Sequence, residues 1–441
     1  MNFKITSYYQ YITYILSLFF MFYSYQYQLI HPTCCDANSY VDIANHFLDV
    51  GIFEKYDNNE LRLYGYPLFL SFFYLFFEKE NAILGYAIFN CFSYIILSIL
   101  ISNKLKQKFE LNDKILNIAF SLNILLFPYL VIPLADGLSV LLFMMISYLL
   151  LTIIDNLETK NKYSYILIFL YSYIIGFSIM VRPSNVCLIL LIPLFAIFLY
   201  IYYQYKRLAI LGVLTFGFLV AVAPQLYMNY YHFQKISFLP TIDLGSKQIE
   251  WGIQYIKYAT NLSGIGTPQM YYNNPFALNY SFGMGLSWYF HNFEYGIKTI
   301  FLHIFNVFSF DYYFPYIYDL YPKYKNLTLF YSWFITFFGT FGIYELFKNR
   351  LYIQYKNTGT TKFLLFVILP IVFLSMLSIL AISAVEIRFS LSLILILLPF
   401  AFYSFKRNLK NINIWTIFTL FIICAFLISS FVDLQKNIPY M

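Results

Sequence analysis

DANSYVDIANHFLDVGIFEKYDNNELRLYGYP, residues 36–67, is the first long polar interruption in a chain otherwise built of apolar runs. Tyr40, Ile43, Ala44, Phe47 and Leu48 recur at helical spacing, so one face is apolar while Asp42, Asn45, His46 and Asp49 face elsewhere. Gly51 falls where a left-handed C-terminal cap would close that helix. Asp36 stands at the helix start, one turn before Tyr40 and on the side of the apolar stripe, so it is expected to point inward. Two readings of it stand side by side. It is an N-cap, a position aspartate favours, or a carboxylate held for chemistry at a membrane surface.

The flanking composition fixes the class. Of 441 residues, 61% are hydrophobic and 11% charged, with mean hydropathy +0.65. Soluble domains carry about 25% charged residues, so the expectation is an all-α polytopic membrane protein. Five cysteines suggest no disulfide framework. Cys34 and Cys35 adjoin His31 and Asp36, but vicinal cysteines lack the spacing of a structural zinc site. The N-terminal apolar run lacks a small-residue cleavage site before His31 and reads as a retained first span.

A spanning helix needs roughly 20 mostly apolar residues. Candidates fall near 11–30, 82–102, 115–132, 137–154, 163–181, 185–203, 208–230, 327–346, 363–383, 389–405 and 412–432, about eleven transmembrane helices in all. Residues 64–77 and 297–318 are apolar but short or broken, and read as interfacial or re-entrant pieces. With that count, Lys4 shares one side with Lys104, Lys106, Lys108, Lys114, Lys160, Lys162, Lys206, Arg207, Lys348, Arg350, Lys356, Lys362, Lys406, Arg407 and Lys410. The positive-inside rule makes that side cytoplasmic. The outer side then receives residues 31–81, a first loop carrying the amphipathic helix, and residues 231–326, a partly interfacial excursion. Short linkers elsewhere argue for one membrane domain over residues 1–441. The net charge of +7 is a basic cytoplasmic rim, so no nucleic-acid partner follows from it.

Ionisable residues in or beside a span are costly and mark function by default. Three outer turns carry them: Asp136 in PLADG, Arg182 in MVRPSN, and Glu386 with Arg388 in AVEIRF. Arg182 and Arg388 stand on the side where basic residues are disfavoured. Each is expected to answer a local anion, either a protein carboxylate or a phosphate, which arginine suits through its planar fork.

These pieces carry a resemblance. DANSY with the IANHFLDVG helix, then YGYPLFL, LADGL, VRPSN, APQLYMNY and VEIRFSL in that order, resembles the glycosyltransferase-C enzymes of the protein O-mannosyltransferase and lipid A aminoarabinose transferase type. The resemblance implies a glycosyltransferase-C-like fold with an inverting active site at the outer membrane surface. A polyprenyl-phosphate sugar is the implied donor, and a glycan, lipid or protein is the implied acceptor. It further implies an integral protein of the bacterial cytoplasmic (inner) membrane, its site on the periplasmic face and in contact with membrane lipids. On this reading Asp36 is the general base, and Arg182 and Arg388 neutralise the departing phosphate. Tyr40, Arg62 and Tyr66 shape the sugar pocket. Some relatives carry two adjacent acids where this chain has Asp36 followed by Ala37, so Asp42 or Asp136 would supply any second carboxylate. Whether outer carboxylates such as Glu386 hold a divalent cation or pair with arginine stays open.

Two other classes compete. A transporter or flippase of lipid-linked glycans would place its charges near the bilayer midplane on broken helices, and a glycan polymerase would share lipid-linked substrates. Residues 246–259 are expected to form a helix lying on the membrane.

Overall fold

Helix α7, Ala135–Glu158, runs through the middle of the molecule, with 78% of its most apolar window buried by protein. Asp136 and Asp155 stand near its two ends, about 28 Å apart at 1.5 Å per residue. That is close to the thickness of a bilayer's hydrocarbon core. Around Asp155 gather Lys104 and Lys108, each 2.6 Å from it. Around Asp136 gather the arginines described below. The basic rim and the arginine-carboxylate cluster therefore lie at opposite ends of this helix.

The computed structural model describes residues 6–30, 36–56, 60–109, 111–158, 164–202, 207–259, 262–263, 270–314, 318–319, 324–352 and 367–437. His31, Cys34 and Cys35 lie outside them, as do Lys4, Lys160, Lys162, Lys206, Lys356 and Lys362 of the orientation argument. The helices in chain order are α1 Thr6–Ile30, α2 Asp36–Asp49, α3 Gly65–Phe76, α4 Lys79–Phe109, α5 Asp113–Ser121, α6 Phe127–Val131, then α7. After it come α8 Ser164–Val181, α9 Leu191–Tyr202, α10 Arg207–Phe233, α11 Leu244–Gln254, α12 Ser287–His291, α13 Phe293–Val307 and α14 Lys325–Tyr352. The last three are α15 Leu369–Ile382, α16 Leu391–Arg407 and α17 Ile412–Leu434. Short 3₁₀ turns, Pro183–Leu190 and Ile387–Ser390, lead into α9 and α16.

Among the described residues, seven helices are long and apolar enough to cross a membrane. They are Asn81–Phe109, Ala135–Asn156, Pro183–Tyr200, Leu208–Phe233, Lys325–Lys348, Ile387–Arg407 and Ile412–Leu434. The chain is thus an all-α membrane protein in class. The shortfall from about eleven has local causes. The expected span at 115–132 breaks into α5 and α6, with Pro128 opening the second helix. Tyr165–Val181 and Leu369–Ile382 are apolar but shorter, and residues 363–366 of one expected span lie outside the described residues. Gly65–Phe76, not counted among the eleven, is also a shorter apolar helix. Helix α1 has 25 residues, but tyrosines and glutamines dilute its apolar character. Exposed apolar side chains such as Phe89, Phe92 and Ile96 on α4, and Ile417, Leu420 and Leu427 on α17, form outward stripes suited to lipid.

Helices α8 and α10 approach closely, because a Cβ at Gly217 would lie 2.6 Å from the Phe169 carbonyl oxygen. Such small-residue contacts let membrane helices pack by dispersion where water supplies no driving force. In the excursion over residues 231–326, α11 ends at Gln254 and the chain becomes strand β1, Tyr255–Ala259, which corrects the helix expected through residue 259. Strand β2 is Leu262–Ser263, β3 is Met270–Asn273, β4 is Tyr318–Asp319 and β5 is Lys436–Asn437. Tyr-Ile-Lys-Tyr suits a strand, and β1 pairs antiparallel with β3, which pairs antiparallel with β5. The small sheet therefore ties the excursion to the chain's last strand.

Candidate functional site

Three acids and three arginines from five separate stretches meet at the Asp136 end of α7. Asp36 opens α2 and is fixed by what that helix buries: Tyr40, Ile43, Ala44 and Phe47 all face protein. Arg62 follows on the loop after α2, where its backbone carbonyl accepts from the Tyr56 hydroxyl at 2.8 Å. The loop is pinned one residue before α3 as well, where Tyr64 N–H donates to Gln225 Oε1 at 3.1 Å and the Tyr64 hydroxyl to the Ala221 carbonyl at 2.6 Å. Gly65 then lies against the end of α8, where a Cβ would come 2.6 Å from the Met180 carbonyl carbon. Only glycine allows that approach, and it seats the loop that carries Arg62 against the end of α8.

Proline after Arg182 ends α8, and Asn185 locks the turn by donating to Ser139 Oγ at 2.8 Å and to the Ser178 carbonyl at 3.0 Å. The turn before α16 is gripped by the outer excursion: Ala384 N–H donates to the Gln248 carbonyl at 2.8 Å, and Tyr258 N–H to the Val385 carbonyl at 2.9 Å. Glu386 and Arg388 leave that turn toward Asp136.

The pairing is dense. Asp36 Oδ1 lies 2.5 Å from Arg62 Nη2 and Asp36 Oδ2 lies 3.2 Å from Arg388 Nη2. Arg388 Nη1 reaches Asp136 Oδ2 at 3.3 Å, and its Nε reaches Glu386 Oε2 at 2.5 Å. Arg182 forms an ion pair with the other oxygen of Asp136. Arg62 also donates to the Tyr40 hydroxyl at 3.1 Å and sits 4.9 Å from the centre of that ring. Phe389 stacks under two cations, with Arg182 at 4.8 Å and Arg388 at 5.2 Å from its centroid. The cluster is charge-balanced, and its side chains range from Glu386 at 0% and Asp136 at 2% exposed to Asp36 at 24%. Burial pushes the Asp36 carboxyl up, but the Arg388 and Arg62 guanidiniums outweigh it and hold it below the ordinary carboxylate value. At Glu386 burial prevails over Arg388 and pushes the carboxyl up.

Each residue singled out from the sequence now has a place. Asp36, Arg62, Asp136, Arg182, Glu386 and Arg388 converge. Tyr40 supports Arg62, and Tyr66 stands behind Tyr40, their rings edge to face at 4.6 Å, its hydroxyl donating to Tyr86 at 3.2 Å. Asp42 is exposed and stands apart from the cluster, so Asp136 is the second carboxylate near Asp36. Among the described residues no group of three His, Cys, Asp or Glu side chains could hold a metal ion. The three acids here are matched by guanidiniums that oppose a cation electrostatically, so they do not fit a divalent-cation site. Sequence reasoning missed Tyr312, whose hydroxyl donates to Glu386 at 3.5 Å, and Phe389. Phe389 adjoins Arg388 in the chain and was within reach of a cation–π argument; Tyr312 carried no signal.

Two other carboxylates have structural duties. Glu250 accepts from the Gly283 and Gly285 amides at 3.2 and 2.7 Å and from the Tyr280 hydroxyl, closing the loop before α12. Asp311 is buried against Lys257 at 2.6 Å.

The chain matches no protein-family model, no curated protein and no solved structure. What stands without them is the class: an all-helical membrane protein with a buried arginine-carboxylate cluster at one end of its central helix.

Proposed function

We propose that the protein is a glycosyltransferase of the membrane-embedded, lipid-linked-donor kind, moving a sugar from a polyprenyl phosphate to a glycan, lipid or protein acceptor. The observation that carries the reading is the partly exposed Asp36 carboxylate held between Arg62 and Arg388. In the reaction, the acceptor hydroxyl gives its proton to Asp36 as its oxygen bonds the anomeric carbon. The bond to the phosphate oxygen breaks on the opposite face, and arginine charge meets the anion that leaves. Inversion follows from that single displacement. The sequence-level likeness to glycosyltransferase-C enzymes supports the same assignment, with about eleven spans, a bacterial cytoplasmic membrane and a periplasmic site. Charges gathered at a helix end, away from the bilayer midplane, favour surface chemistry over translocation.

Purified protein given a synthetic polyprenyl-phosphate sugar should transfer the sugar to an acceptor or hydrolyse it slowly. Movement of the intact lipid across the bilayer without bond cleavage would favour the flippase and end the transferase reading.

A further inference from the structure

Arg388 is not gripped evenly. Its Nε is 2.5 Å from Glu386 Oε2, inside the protein, while its two Nη atoms reach Asp36 and Asp136 only at 3.2 and 3.3 Å. Among the described residues those two longer contacts go to different carboxylates, one bond each, and not to a single oxyanion as a paired fork. Asp36 is the most exposed acid of the cluster, and it keeps a second, shorter partner in Arg62 at 2.5 Å. It is therefore the member that can leave Arg388 at least cost. A phosphodiester has two non-bridging oxygens spaced for the Nη edge.

We propose that a phosphodiester anion exchanges with Asp36 at the Nη edge of Arg388, so that binding of the lipid-linked substrate itself frees the carboxylate that accepts the proton. Glu386 is the positioning residue: locked on Nε, it keeps the guanidinium aimed while the outer partner changes. This rests on the glycosyltransferase reading and deepens it. The cluster begins neutral and takes on one extra negative charge when the diester enters. Asp36, with Arg388 occupied elsewhere, becomes a stronger base at the moment an acceptor hydroxyl needs one. Among the described residues, the groups facing Asp36 include Arg62 on the loop, Tyr40 on its own helix, Asp136 of α7, Glu386 and Arg388 on the turn before α16, and Tyr258 of β1. Of the two arginines described there, Arg62 holds Asp36 at 2.5 Å and Arg388 at 3.2 Å, so the Arg388 contact is the one that exchanges.

The probe is the methyl ester of a polyprenyl phosphate, which has no sugar to transfer and no second phosphate proton. It is perfused over the full chain in nanodiscs at about pH 4.5, near the ordinary carboxylate range, with infrared difference detection. Binding should raise a protonated-carboxyl band in the wild type. Asp36→Asn should bind the diester at least as tightly and lack the band. Arg388→Gln should weaken binding by about tenfold or more, the loss expected for a charge-assisted hydrogen-bonded contact. Glu386→Ala, which removes the Nε partner, should weaken binding and band together, and Glu386→Gln, which still accepts from Nε, should restore both. An unchanged band in Glu386→Ala removes the positioning role. Diester binding with no band, a band that persists in Asp36→Asn, or no binding at all overturns the exchange. A wild-type spectrum with binding but no band overturns the exchange even where a variant fails to fold. A missing band alongside demonstrated sugar transfer removes only the exchange, whereas an Asp36-dependent band in a protein that transfers no sugar removes only the transferase.

Discussion

Asp36 Oδ2 accepts a hydrogen bond from Arg388 Nη2 at 3.2 Å, joining residues 352 positions apart in the chain. The first helix after α1 and the turn before α16 are thereby fastened at one point, with Asp136 and Arg182 closing the cluster from α7 and α8.

If Asp36 is the base, Asp36→Asn should lower sugar transfer by about a hundred- to ten-thousand-fold, the usual worth of a positioned proton acceptor. Donor affinity should hold. Turnover assays with a synthetic lipid-linked sugar, alongside direct binding, separate the two quantities, and wild-type turnover in this variant removes the assignment.

Arg182→Ala should act on binding instead. It leaves Asp136, which is 2% exposed, with Arg388 as its remaining ion-pair partner in the cluster. Donor affinity is expected to drop about tenfold or more, together with some thermal stability. An unchanged donor dissociation constant would take Arg182 out of the phosphate site.

The Lys257–Asp311 pair is 2.6 Å long with side chains 1% and 5% exposed, and Lys257 also donates to the Ser309 carbonyl at 2.9 Å. Either single change, Lys257→Met or Asp311→Leu, should cost about 3–5 kcal/mol because it strands a buried charge. Lys257→Met combined with Asp311→Leu should cost much less. Thermal unfolding in detergent of the singles and the double gives the coupling directly, and simple additivity would show that the pair does not hold the excursion.

Acid should loosen the cluster. Burial opposes ionisation of Asp36, but Arg388 and Arg62 prevail, so its carboxyl titrates lower in the folded chain than in the unfolded one. The unfolded chain then binds the proton more readily, and Asp36 stabilises the fold fully above its ordinary value of about 3.9. That contribution is lost as pH falls through the lower folded value. Melting temperatures taken from about pH 5 down to pH 3 should fall more steeply for the wild type than for Asp36→Asn; parallel slopes would contradict the pairing.

Gly65→Ala puts a methyl group 2.6 Å from the Met180 carbonyl carbon, where backbone, not a flexible side chain, must yield. A loss of about 1–3 kcal/mol is expected from such overpacking, with the Arg62 loop displaced from the end of α8. Gly51→Ala meets no neighbour within 4 Å but adopts φ +105°, so its cost is backbone strain alone. Comparing the two in thermal unfolding and in donor binding tests whether the α3–α8 contact sets the site.

Local pattern carried the amphipathic face of α2, the glycine that follows it, and the three charged outer turns. The charges of LADGL, VRPSN and VEIRF were legible in the letters, but the structure adds duties that the letters concealed. Asn185 of VRPSN braces α7 against α8, and Gln225 of the APQLYMNY stretch holds the Tyr64 amide. Arg62 was expected near the sugar pocket, but its grip on Asp36 was not. The helix expected to run through residue 259 stops at Gln254 because β3 offers the Tyr255–Ala259 segment a ladder partner.

By itself, the sequence determined the membrane class, the helical course of residues 36–49 and the identity of the charges placed at the turns beside the apolar helices. Those follow from hydropathy and periodicity, which act over a few residues. Tertiary structure alone decided which acid answers which arginine, that Phe389 and Tyr312 serve the cluster, and that Asp42 stands apart from it. Ion pairing depends on distance and burial between segments far apart in the chain, and no local pattern records either.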